Sequence, residues 1–321
     1  MTSPEDLERT ILGWVPDRTG DDVAARAGVP REQSQRLWRA LGFPDTGRAT
    51  AYSQADADAL ERVTRILAET DLDFDTVVRM TRAVGQTMDR LADWEVATLT
   101  SHAERTVEPG ERADEVVRLA QQIGADFEAL LGYVWRRHLV AAVARAGGLD
   151  GASTEDEHVE ATVGFADLVS FSELTNRLGD DEIGDLVEVF ESRAHEVVSR
   201  RGGRVVKTLG DSVLFWAPSP AEGVDTAWDI VQVIGRDPRL PDVRIGVVTG
   251  SVVTRMGDVY GPAVNLAARL TTVARRNRVI TDVHTAEALP ADRYETRMLP
   301  ARPVRGFGEL QPVAVRHTRL P

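Results

Sequence analysis

The sequence predicts an α+β chain in two parts: an all-helical N-terminal domain over residues 1–146 and an α+β sandwich over residues 159–321. Three observations predict it. Up to about residue 146 the apolar residues recur at helical spacing. From Gly147 to Glu157 the chain is rich in glycine and acid and has no period, so residues 147–158 read as a linker. Beyond it, short apolar runs alternate with helical stretches. A length of 321 residues also suits two domains better than one.

Taking the elements in order, the stretch from Asp21 reads as a helix stopped at Gly28 and turned at Pro30. Arg31 to Leu41 reads as a second helix, with Leu37, Trp38 and Leu41 on one face, broken by Gly42-Phe43-Pro44. Ser53 has the chemistry of an N-cap for a helix opening near Asp56. Longer helical stretches follow at about 59–70, 74–101, 111–122 and 124–146. Leu130, Leu131, Val134, Leu139, Val140 and Val143 make an apolar stripe, suited to a core, a helix–helix dimer surface or a slot for an acyl chain. The segment over about 20–65 resembles the helix-turn-helix of MerR-type regulators, although two short helices around a glycine turn are also a common packing unit. Residues 1–150 hold 18 Arg and no Lys against 26 Asp and Glu, a balance that argues against phosphate-backbone binding, so no nucleic-acid partner is expected.

In the C-terminal part, Ala161–Val169 reads as a strand and Asp181–Arg200 as a helix. Arg204–Ala217 reads as two strands around a tight turn at Leu209-Gly210-Asp211. A helix at Ala221–Ile234, a strand at Val243–Val253 and a helix at Pro262–Ala274 follow, the last with proline in its first turn. Val279–Thr281 and Val313–His317 read as short strands.

Composition excludes several classes of function. There is no cysteine, which removes disulfides, thiol nucleophiles and thiolate metal sites. No apolar run reaches the roughly 18 residues of a membrane span, and the acidic start lacks a signal-peptide core, so a cytoplasmic location is expected. Net charge is −13. Of 38 basic residues only Lys207 is a lysine, which suggests a position where a compact ammonium fits and a guanidinium does not.

Two acids stand at strand ends among residues that bury: Asp167, before Ser170-Phe171, and Asp211, in the hairpin turn. Converging carboxylates at a sheet edge can hold Mg²⁺, although aspartate is also a common turn residue. Their flanks are more specific. Phe165-Ala166-Asp167-Leu168-Val169-Ser170-Phe171, Val206-Lys207-Thr208-Leu209-Gly210-Asp211-Ser212 and the run from Gly257-Asp258-Val259-Tyr260-Gly261 through Asn265 to Arg269 occur in that order. With these three motifs, residues 159–321 resemble the class III adenylyl/guanylyl cyclase catalytic domain, a ferredoxin-like sandwich.

The resemblance implies a role for each residue. Asp167 and Asp211, with the Leu168 carbonyl, would bind two divalent cations per site, Mg²⁺ or Mn²⁺. Phe165 belongs to the substrate-binding motif. Lys207 and Asp258 would read the base: adenine offers an acceptor at N1 and donors at N6, which suits a lysine donor and an aspartate acceptor, whereas guanine mismatches both. ATP is therefore the expected substrate. Asn265 and Arg269, four apart on one helix face, would orient the ribose and stabilise charge at the α-phosphate. Two departures stand out. Ser170 replaces a glycine frequent among relatives, and Phe307 stands where some carry a lysine for the terminal phosphates, leaving Arg255 or Arg305 for that task.

In this family one site draws on two subunits, so the resemblance implies a homodimer. The N-terminal half resembles, more loosely, the regulatory part of mycobacterial-type, pH-responsive cyclases. It implies regulation by pH or by a lipid or fatty acid, and His138 and His158 flank the linker. Two other readings exist: a catalytically dead nucleotide binder, and a nucleotide-sensing transcriptional regulator that binds DNA through the helix-turn-helix-like segment.

Overall fold

The computed structural model describes residues 4–44, 46–47, 49–146, 158–255, 257–304 and 306–318, and the chain falls into two compact units, 1–150 and 151–321.

The first unit is helical. It opens with α1 (Pro4–Leu12), which sequence periodicity did not reveal, and a two-stranded ladder of β1 (Arg18–Thr19) with β2 (Thr50–Tyr52) brackets α2 (Gly20–Arg26) and α3 (Arg31–Leu41). Helix α3 spans the predicted residues and stops where Gly42 turns left-handed at φ 92°. Ser53 caps α4 (Gln54–Glu69) as expected: its hydroxyl accepts the Ala55 N–H at 3.0 Å, and Asp56 accepts the Ser53 N–H at 2.8 Å. Val23, Leu37, Trp38, Leu60 and Val78 bury together beneath α5 (Phe74–Thr106). The stretches predicted at 111–122 and 124–146 are one helix, α6 (Arg112–Ala146). Gly124 lies inside it; a helical glycine costs about 1 kcal/mol relative to alanine, too little to break a helix of this length.

In the second unit β3 (His158–Leu168) begins three residues before the predicted strand, and residues 147–157 of the predicted linker lie outside the described residues. Then come α7 (Phe171–Thr175), α8 (Asp180–Arg200), β4 (Arg204–Leu209), β5 (Ser212–Ala217), α9 (Pro220–Ile234) and β6 (Val243–Arg255). The spatial order β4-β5-β3-β6, antiparallel throughout, with crossovers through α8 and α9, is the ferredoxin-like β-α-β-β-α-β arrangement. The chain continues through β7 (Asp258–Tyr260), α10 (Pro262–Val273), β8 (Arg278–Thr281), α11 (Val283–Glu287), β9 (Tyr294–Met298), β10 (Arg302–Val304), β11 (Gly308–Leu310) and β12 (Val313–His317). Strands β8, β12 and β9 extend the sheet beyond β6, and β7 folds back on the end of β6.

Strand alternation divides the core into two layers. Ala166, Leu168, Val213, Phe215 and Ile245 pack with Phe190 and Ile230 of α8 and α9. Val163, Phe165, Leu214 and Val248 pack with Ala263, Ala267 and Leu270 of α10. Gly246 sets how closely α10 lies: a Cβ there would stand 2.5 Å from the Ala267 carbonyl oxygen, so the strand and helix backbones touch. This contact fixes the platform that carries Asn265 and Arg269.

Candidate active site

The hairpin that carries Asp211 closes with Gly210 at φ 62°, a conformation glycine adopts without strain. The Leu168 N–H donates to the Asp211 carbonyl at 3.0 Å, which ties this turn to the end of β3 and brings Asp211 to Asp167. Asp167 is registered between Ser212 of β5 and Arg244 of β6. Its Oδ1 accepts a short hydrogen bond from the Ser212 hydroxyl, and its Oδ2 accepts Arg244 Nε at 2.7 Å and Nη2 at 2.6 Å. Burial pushes the Asp211 carboxyl above the ordinary carboxylate value, and the neighbouring Asp167 charge adds to the rise.

Burial and the Asp167 charge raise the proton affinity of Asp211, and two hard-oxygen carboxylates so placed make a donor set suited to a divalent cation, whose charge would offset that rise. Among the described residues no group of three or more His, Cys, Asp or Glu forms a metal cage. Asp167 and Asp211, with the backbone carbonyl of Leu168, are the donors that fit. The Leu168 side chain itself is buried, 1% exposed, beneath α8 and α9.

Lys207 reaches its place because of a β-bulge. The register of β4 on β5 shifts between Val205 and Lys207, so Val205 faces Phe215 while Lys207 faces Leu214. In an unshifted register Lys207 would oppose Val213, in the apolar layer under α8 and α9. The ladder then coils until its far ends meet: Arg204 Nη1 donates to the Gly257 carbonyl at 2.9 Å, and Lys207 Nζ donates to Asp258 Oδ2 at 2.6 Å. Burial works against the Asp258 charge, but the Lys207 ammonium, the Val259 N–H and the Tyr260 hydroxyl outweigh it and hold the carboxyl below its ordinary range.

Asn265 and Arg269 share one face of α10, as their spacing predicts. The face bearing Ala263, Ala267 and Leu270 lies on the sheet, and Asn265 and Arg269 stand exposed on the opposite side. Among the described residues neither side chain has a hydrogen-bond partner. The chain brings Asp167 to Asp211 and Lys207 to Asp258 but leaves these two groups apart. Asp167 is registered with Arg244 at the start of β6, whereas Asp258 is registered with Arg255 at its end. Phe165 is buried beneath α10, and its carbonyl accepts the Thr271 hydroxyl at 3.2 Å. Arg255 is exposed, and Arg305 lies outside the described residues. Ser170 adopts the left-handed conformation, φ 58° and ψ 28°, that a glycine would take freely.

Sequence alone did not single out two further residues. Arg244 carries no local motif, and only the register of β6 against β3 reveals it. Tyr260 lies inside the third motif, two residues from Asp258, and that period-two spacing could have marked it.

Residues 154–316 match the family described as the adenylate and guanylate cyclase catalytic domain. An adenylate cyclase of Streptomyces coelicolor is 37% identical over 95% of this chain and 87% of its own length. One of Glutamicibacter nicotianae is 35% identical over 95% of this chain and 80% of its own. A pH-sensitive adenylate cyclase of Mycobacterium tuberculosis is 30% identical over 89% and 74%. The motifs, the fold and these likenesses converge on one class, and the chain belongs to the adenylate and guanylate cyclase family. Among the described residues no helix is long and apolar enough to cross a membrane.

Proposed function

We propose that the protein converts ATP to 3′,5′-cyclic AMP and pyrophosphate in a homodimer with two shared sites. The observation that carries this reading is the Lys207–Asp258 pair at 2.6 Å. A fixed donor beside a fixed acceptor complements N1 and N6 of adenine and leaves guanine with unpaired groups. The relatives named adenylate cyclase support the same substrate, and ATP, a cytoplasmic metabolite, fits a cytoplasmic location.

In the reaction the ribose 3′-oxygen attacks the α-phosphorus, the bond to the β-phosphate oxygen breaks, pyrophosphate leaves and the 3′-proton goes to solvent. Two divalent cations, Mg²⁺ or Mn²⁺, supply positive charge for 3′-hydroxyl ionisation and for the triphosphate when bound. Asp167, Asp211 and the Leu168 carbonyl would hold them. Asn265 of the other subunit orients the ribose, and Arg269 of the other subunit places a permanent cation against charge developing at the α-phosphate. Arg244, beside Asp167, and the exposed Arg255 are candidate cations for the terminal phosphates. The opposed, unpartnered placement of Asn265 and Arg269 supports sharing between chains. The test is incubation of the full-length protein with ATP or GTP and Mg²⁺ or Mn²⁺. Cyclic AMP is expected, and a higher kcat/KM for GTP would overturn the reading.

The N-terminal unit is read as the regulator. Leu37, Trp38, Leu60, Val63 and Val77 line an apolar cavity of about 290 Å³, a size and chemistry suited to a fatty acyl chain. Leu130, Tyr133, Trp135, Val140 and Val143 leave α6 with an exposed apolar surface suited to dimerisation. The pH-sensitive relative supports pH as a signal; a pH profile unchanged by removal of residues 1–150 would exclude this unit as the sensor. The DNA-binding alternative is disfavoured because arginines of the helix-turn-helix-like segment are paired with acids: Arg26 with Glu61, Arg31 with Asp21 and Arg36 with Asp75 of α5.

A further inference from the structure

Strand β7 is only three residues long, and its period of two puts Asp258 and Tyr260 on one face and Val259, 1% exposed, on the other. Lys207 stands against that face. Its Nζ lies 2.6 Å from Asp258 Oδ2 and 5.5 Å from the centroid of the Tyr260 ring, within cation–π range. The second carboxylate oxygen, Asp258 Oδ1, accepts the Val259 N–H at 2.8 Å. The carboxylate is therefore held at both oxygens, and the ammonium sits between a carboxylate and an aromatic face. Tyr260 is 51% exposed, so apolar burial does not explain its place. Its hydroxyl is kept protonated by the hydrogen bond to Asp258 and that residue's charge.

We propose that Tyr260 is a positioning residue for purine selection, holding the Lys207 ammonium, and through it the Asp258 carboxylate, with its ring. The inference rests on the reading of Lys207 and Asp258 as the groups that contact the base. Discrimination by unpaired polar groups works only if those groups cannot move away. A lysine on a four-carbon stem, released from the ring, can turn from the N1–H of guanine. A released aspartate can accept that same N1–H. Loosening the pair therefore weakens ATP binding and admits GTP.

The test compares kcat/KM for ATP and GTP in the full-length enzyme carrying Tyr260→Ala, Tyr260→Phe, Tyr260→Trp or Lys207→Ala. Tyr260→Ala is expected to lower the ATP-to-GTP ratio about tenfold, with KM for ATP rising more than kcat falls. Tyr260→Phe and Tyr260→Trp, which keep a ring over the ammonium, recover most of the ratio. If Lys207→Ala collapses the ratio while Tyr260→Ala keeps it, the inference is wrong and the base-reading assignment stands. If Lys207→Ala leaves the ratio intact, that assignment fails and the inference falls with it. An equal loss of activity on both nucleotides across the Tyr260 series would mark a merely structural role and overturn the proposal. Should Tyr260→Ala fail to fold, Tyr260→Leu, which keeps side-chain bulk but removes the ring, decides the question: a lowered ratio is expected, and a wild-type ratio would overturn the proposal.

Discussion

Arg244 grips Asp167 with two nitrogens, Nε at 2.7 Å and Nη2 at 2.6 Å, so a guanidinium already neutralises one of the two carboxylates that converge at the end of β3. Arg244→Ala leaves Asp167 and Asp211 facing each other with no cation between them. Thermal stability without metal is expected to fall, and added Mg²⁺ to recover more of it than in the wild type. Cyclase activity at saturating metal falls by roughly tenfold or more, because a fixed positive charge beside the phosphates is lost. A metal-free melting temperature equal to that of the wild type would break this argument.

Ser170 carries local strain. A residue with a Cβ in the left-handed region costs roughly 1 kcal/mol, and glycine avoids that cost while giving back part of it through a freer unfolded chain. Ser170→Gly is therefore expected to stabilise the catalytic unit by about 0.5–1 kcal/mol, read by urea unfolding. Destabilisation would mean that the serine side chain contributes more than its backbone costs.

Much of this was readable in the residues, and the exceptions have physical causes. The motifs located Asp167, Asp211, Lys207 and Asp258 because each lies in a strand or turn whose neighbours bury. Strand β9 was missed because it is an edge strand in which only Tyr294 is buried, so no alternation marks it. Helix α6 was cut in two because glycine signals a break locally, while continuity of the helix is decided by the residues on both sides. The aim of Lys207 depends on a bulge, and the Arg244–Asp167 pair depends on register across β6 and β3. Both are relations between strands that no single stretch of sequence contains.

Tyr294 offers a pH test away from the site. Its hydroxyl donates to Asp225 Oδ1 at 2.7 Å, and Arg293 Nη2 meets Asp225 Oδ2 at 2.7 Å. Burial pushes the Tyr294 hydroxyl well above its ordinary value, and the Asp225 hydrogen bond and charge push it further. Tyrosine in the unfolded chain ionises near pH 10, while folded Tyr294 stays neutral. Its contribution is whole below about pH 10 and is lost as pH rises towards the folded value. Tyr294→Phe should cost about 1.5–3 kcal/mol at pH 8, the range for a hydrogen bond to a charged group. The gap between wild type and variant should narrow as pH rises from about 10 to 11, and a gap constant with pH would contradict the assignment.

The placement of Asn265 and Arg269 gives the decisive test of a shared site. Both point away from the sheet that carries Asp167, and Asp258 is registered at the opposite end of β6 from Arg244. A chain with Asp167→Ala keeps Lys207, Asp258, Asn265 and Arg269, and a chain with Asn265→Ala keeps both Asp167 and Asp211. Each homodimer should be nearly inactive. In a mixed dimer one of the two sites takes its carboxylates from the Asn265→Ala chain and its Asn265 from the Asp167→Ala chain, and that site is intact. With chains mixed in equal amounts about half of the dimers are mixed, each with one working site of two, so activity should return to about a quarter of wild type. Activity that stays at the background of the separate variants, in dimers shown by differential tagging to be mixed, would mean that each chain completes its own site.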